Sequence, residues 1–84
     1  METIIQTQAE YKKGRLMYSF NASDIEEAKE KLTSYYYGSK KELTMYSLSK
    51  GYRYFYLVNS KGEINQKVII CNRENSTKYQ LRQF

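Results

Sequence analysis

The chain lacks histidine, proline and tryptophan, and its 84 residues include one cysteine and four glycines. Each absence removes a class of function. Without histidine, the commonest general base and metal ligand is missing. Cys71 stands alone, so no internal disulfide and no C-x-x-C zinc pair can form. Neither G-x-x-x-x-G-K-[ST] nor G-x-G-x-x-G occurs, so the phosphate loops of nucleotide enzymes are not written here. No apolar run approaches the ~20 residues of a membrane span, and "METIIQTQAEYKKG" has no apolar core of a signal peptide. With its single thiol, the chain is expected to be a cytoplasmic binding protein rather than an enzyme, with no cofactor, metal or catalytic residue.

What is abundant is tyrosine, ten residues beside three phenylalanines. A chain of this length is one domain, residues 1–84, and a domain so small has a thin stability margin. Buried tyrosines would help, because each covers much apolar area with few rotors. The formal charge is +5, unevenly spread. In residues 23–37, Asp24, Glu26, Glu27 and Glu30 outnumber Lys29 and Lys31, a net −2, which leaves +7 for the rest. A basic remainder suits a negatively charged partner, or simply keeps the surface solvated.

Alternation and turn residues predict the elements. "TIIQTQAEY" reads as a first strand, about Thr3 to Tyr11, and "KKGR" as a turn with Gly14 at positive φ. "RLMYSFN" alternates, with Leu16, Tyr18 and Phe20 on one face, completing a hairpin. "SDIEEAKEKLTSYYYG" is helical. Ser23 and Glu26 read as a capping box, Ile25, Ala28, Leu32 and Tyr35 or Tyr36 as an apolar stripe, and Gly38 as the residue after the end. "ELTMYSLS", "YRYFYLVN" and "EINQKVIIC" follow as a meander joined at Gly51 and Gly62. "TKYQLR" predicts a final edge strand. The expected fold is α+β: one helix on one face of an antiparallel sheet, in the order β-β-α-β-β-β with a possible extra C-terminal strand. One helix covers one face, so the second is expected to be open to solvent or a partner.

The stretch "KGYRYFYLV", Lys50 to Val58, supplies the candidate contact surface. On a strand, Tyr52, Tyr54 and Tyr56 point one way, and Arg53, Phe55 and Leu57 the other. With Phe55 and Leu57 in the core beside Leu16 and Phe20, the tyrosine row lines the open face. The opposite assignment puts the tyrosines inside and leaves Phe55 and Leu57 exposed, since a one-residue slip reverses every side chain. The candidate partner or nucleic-acid contacts are Tyr52, Tyr54, Tyr56, Lys50, Arg53, Arg15, Lys12, Lys13 and Lys67. Tyrosines could stack bases while lysine and arginine hold phosphates.

Two resemblances bear on function. "KGYRYFYL" is similar to the first RNP motif of the RNA-recognition-motif family through Lys50, Gly51, Tyr52 and Tyr54. It departs at Arg53 and Leu57, and the chain lacks that family's second helix. "MYSFNASDIEEAKEKL" followed by "YFYLVNSKGE" resembles, at the level of architecture, small phage-encoded anti-CRISPR proteins. That resemblance implies a stoichiometric inhibitor of a host nucleic-acid-targeting defence complex, acting in the host cytoplasm, and it carries over no site residue. Direct nucleic-acid binding by the same face is the alternative. A homodimer formed through the open face or an edge strand is a third reading.

Overall fold

In the computed structural model, which describes residues 4–35, 42–59 and 61–84 apart from the Gln66 side chain, the fold is α+β with one antiparallel sheet. The elements in chain order are α1 (Gln8–Tyr11), β1 (Arg15–Asn21), α2 (Ile25–Tyr35), β2 (Glu42–Ser49), β3 (Tyr52–Val58), β4 (Ile64–Arg73) and β5 (Lys78–Gln83). The sheet order is β1-β5-β4-β3-β2. The meander of β2, β3 and β4 is as the alternation predicts. Its first turn places Lys50 at φ 51° and Gly51 at φ 82°, the left-handed pair that a two-residue type I′ hairpin needs.

The N-terminal half departs from expectation. Residues 4–7 of the predicted first strand join no sheet and lead into the single turn of α1, while Thr3 lies outside the described residues. Thr7 Oγ1 accepts from the Glu10 amide at 3.1 Å, and the Thr7 hydroxyl donates to the Glu10 carboxylate at 3.2 Å. This T-x-x-E capping arrangement nucleates a helical turn where alternation alone reads a strand. No hairpin forms at Gly14, whose φ is not positive. Its hydrogen faces the Phe84 ring so closely that a Cβ would lie 2.5 Å from Cζ.

β1 therefore pairs with β5, not with the segment before it, and β5 is an interior strand rather than an edge. A bulge at Met17 puts Leu16 opposite Arg82 and Tyr18 opposite Leu81. That shift turns Leu16 out to 47% exposure and lets Met17 pack on the core, the reverse of their expected sides.

α2 starts one residue later than the sequence suggests. Asp24 Oδ1 accepts from the Glu27 amide at 2.9 Å, so Asp24 is the cap, while the Ser23 hydroxyl donates to the Glu27 carboxylate at 3.1 Å. Tyr36 and Gly38 lie outside the described residues. Ala28 and Leu32 are fully buried and Ile25 partly so, as the helical stripe requires. They meet Phe20, Leu43, Phe55, Leu57, Val68, Ile70, Tyr79 and Leu81 in the larger of two apolar clusters. Tyr35, Tyr18, Phe20 and Tyr79 stack in succession along this face, with centroids 4.6, 5.1 and 5.4 Å apart.

The second cluster decides the fate of the tyrosine row. Tyr54, Tyr56, Ile69 and Cys71 project from the face opposite α2, as alternation predicts, but Ile5 and Tyr11 close over them. Tyr11, Tyr54 and Tyr56 are fully buried. Tyr54 donates to Gln8 Oε1 at 3.0 Å, the Ser47 hydroxyl to the Ile5 carbonyl at 3.0 Å, and Tyr11 to the Gln80 carbonyl. Tyr56 accepts from the Ile5 amide. The fold is thus three layers deep: α2, the sheet, and the N-terminal segment. No helix among the described residues is long and apolar enough to cross a membrane.

Candidate nucleic-acid interface

The closing of the tyrosine face relocates the candidate surface. Tyr54 and Tyr56 cannot touch a partner, because no part of either reaches solvent. Burial pushes the Tyr54 phenol and the Cys71 thiol each up to about 12, and it raises Tyr11 and Tyr56 as well. These groups are neutral packing elements. Cys71 sits 3.7 Å from Gln8 Oε1 as a small buried thiol.

Arg53 is also displaced from the expected surface. It lies on the α2 side of the sheet, half-buried over the Phe55 ring, and donates to Asn72 Oδ1. Asn72, 1% exposed, donates in turn to the carbonyls of Ser76 at 2.9 Å and Lys78 at 2.7 Å. Arg53 and Asn72 together hold the β4–β5 turn from behind. Arg15 reaches from β1 to Gln83 Oε1 on β5 at 3.4 Å, and exposed Lys13 and Lys67 lie apart from the cavities described next.

Beside α1, on the face away from α2, the structure opens a groove of about 370 Å³. Its walls carry four cations: Lys12 from the end of α1, Arg73 from β4, and Lys78 and Arg82 from β5. Alternation explains the β5 pair. With Tyr79 and Leu81 buried against α2, Lys78 and Arg82 must point the other way. Gln8, Tyr52, Ser76 and Gln80 add hydrogen-bonding groups, and Cys71 completes the lining. Arg82 is fixed in place. Its Nη1 donates to the Gly14 carbonyl at 2.7 Å and the Lys12 carbonyl at 3.4 Å, and its guanidinium lies 5.4 Å over the Tyr11 ring.

Among the described residues the groove cations have no acidic partner. Among the described residues the ion pairs are Lys29 with Glu26 at 3.5 Å and Glu42 at 3.4 Å, and Lys31 with Glu27 at 3.6 Å. All belong to the α2 side. Lys12, Arg73, Lys78 and Arg82 enter none of them. Among the described residues, Glu10, turned back to Thr7, and Glu74, on the β4–β5 turn, are close to these cations in sequence, and neither lines the groove. Four like charges around one concavity focus a positive potential that attracts anions.

Of the residues named from sequence, the structure brings together Lys12 and Tyr52 here, with Lys50 in an adjoining notch. Arg73, Lys78 and Arg82 were not among them. The alternation of "TKYQLR" contained the signal, because fixing Tyr79 and Leu81 inward fixes Lys78 and Arg82 outward. Among the described residues no group of three His, Cys, Asp or Glu side chains could hold a metal ion. Comparison with protein families, curated protein sequences and solved structures finds no match to this chain.

Proposed function

We propose that this chain is a non-enzymatic nucleic-acid-binding protein that takes phosphates into the groove beside α1. The observation that carries the reading is the cluster of Lys12, Arg73, Lys78 and Arg82 around one concavity with no carboxylate in its walls. Arg73 and Arg82 offer planar donors suited to phosphate oxygens, and Gln8, Ser76 and Gln80 add neutral donors.

A fluorescence-anisotropy titration with labelled oligonucleotide tests it. Three or four phosphates held on a single strand give a slope of log K against log salt of about −2 to −3. Replacing Arg73 and Lys78 together by glutamate should weaken binding and flatten that slope. No binding at low salt refutes the reading.

The resemblance to phage anti-CRISPR proteins supplies a biological setting. The protein would inhibit a host nucleic-acid-targeting complex by occupying the phosphate-bearing part of its guide or target. Added in stoichiometric amount to a purified guide-loaded effector, it should block target binding. Unchanged cleavage at large excess refutes that role. A homodimer is the second reading, favoured by β2, an edge strand whose Met45 and Leu48 are 50% and 53% exposed. Light scattering on a size-exclusion column separates the two, since a monomer at tens of micromolar removes it.

A further inference from the structure

Tyr52, with Gln8, stands between the basic groove and a second, smaller cavity of about 190 Å³. This notch is lined by Thr7, Gln8 and Ala9 of the N-terminal segment and by Ser49, Lys50 and Tyr52 at the β2–β3 turn. Strand order explains why the ring stands between the two. Tyr52 pairs with Arg73 of β4 on one side and with Ser49 of β2 on the other. Arg73 lies over the ring, 5.5 Å from its centroid. Ser49 is too small to cover the ring in the same way, and the notch is the space it leaves. The two cavities differ in chemistry. The groove is ringed by cations, whereas the notch has an aromatic wall, the Ala9 methyl, and Lys50 as its one charge.

An aromatic wall in a notch beside a phosphate-binding groove is the arrangement that seats an unpaired base next to its own backbone. We infer that this end of the sheet binds single-stranded nucleic acid, with one base in the notch against Tyr52 and the adjacent phosphates among Arg73, Lys78 and Lys12. The inference rests on the nucleic-acid reading above and narrows it. A base pair is too large for the notch, so a duplex reaches the groove cations and gains nothing from Tyr52. Lys50, at the notch rim, holds the next phosphate along the strand.

The test compares three probes by anisotropy and competition: a single strand of about twelve nucleotides, a blunt duplex of that strand annealed to its complement, and inorganic polyphosphate. Each is titrated at about 50 mM and about 200 mM salt. Tyr52→Leu removes the stacking ring. Ser49→Leu fills the notch while leaving the ring and every charge in place. Melting curves show that each variant is folded. The expected result is a single strand held at least about tenfold tighter than duplex or polyphosphate, with about that advantage lost in both variants, as stacking of one base predicts. Affinity for the duplex should stay the same in both. Equal affinity for all three probes, or single-strand binding unchanged in folded Ser49→Leu and Tyr52→Leu, overturns the base pocket and leaves the phosphate groove standing. Failure of every probe to bind overturns both.

Discussion

Replacing Tyr11 by alanine asks whether the N-terminal segment closes the second face of the sheet. The ring is fully buried, packs 5.7 Å from Tyr54 and 6.2 Å from Phe84 between centroids, and lies beneath the Arg82 guanidinium. Its hydroxyl donates to the Gln80 carbonyl on an interior strand. Aromatic-to-alanine changes in cores cost about 3–5 kcal/mol. The lost hydrogen bond to the Gln80 carbonyl adds about 1 kcal/mol. Domains are stable by roughly 0.05–0.15 kcal/mol per residue, which for 84 residues is about 4–13 kcal/mol. Tyr11→Ala thus removes a third or more of the margin. At a urea slope of about 1 kcal/mol/M, the midpoint should fall by about 4 M or the folded baseline should vanish. Tyr11→Phe keeps the ring and should cost about 1 kcal/mol. Urea unfolding followed by far-UV circular dichroism reads both. A Tyr11→Ala protein within about 1 kcal/mol of the parent would refute the closed face, and the tyrosine row would again be a free surface.

Four further outcomes are expected. Tyr54→Ser with Tyr56→Ser should unfold the domain, because both rings are core; a folded, cooperative double variant by thermal melt contradicts their burial. Arg53→Gln should lower stability by about 1–2 kcal/mol through Asn72, yet leave the salt slope of oligonucleotide binding unchanged, since the side chain lies on the α2 side. Gly14→Ala should cost about 1 kcal/mol by pushing against the Phe84 ring, and a double-mutant cycle with Phe84→Ala should show that cost disappear. Burial holds the Tyr54 phenol near 12 against an ordinary 10, so its neutral form is favoured in the folded state. Its contribution to stability is complete below pH 10 and is lost as pH rises toward 12. Tyrosinate absorbance and urea midpoints recorded across that window should therefore change together, and a midpoint flat from pH 10 to pH 12 argues against it.

Local chemistry in the sequence was enough for much of the fold. The stripe of Ile25, Ala28 and Leu32 defines a helix within its own turns, although its cap is Asp24 rather than Ser23, and Lys50-Gly51 dictates a tight hairpin. Alternation assigned Phe55 and Leu57 to one face and Tyr52, Tyr54 and Tyr56 to the other, because side-chain direction on a strand has period 2. The T-x-x-E cap at Thr7 was legible too, but it competes with an alternating apolar pattern over the same residues.

What covers a face is a different kind of information. Whether Tyr54 and Tyr56 meet solvent depends on Ile5 and Tyr11, more than forty positions away, and no local rule links them. The β1–β5 pairing is equally remote, and with it the bulge that turns Leu16 outward. The groove exists because β5 pairs with β4 and the Tyr11 ring of α1 docks against β5, so Lys12, Arg73, Lys78 and Arg82 converge from three elements. The sequence alone determined an excess of positive charge and the alternation that carries it. Only the tertiary structure decided where the charge concentrates, because like charges gather into a site through packing of the apolar residues between them.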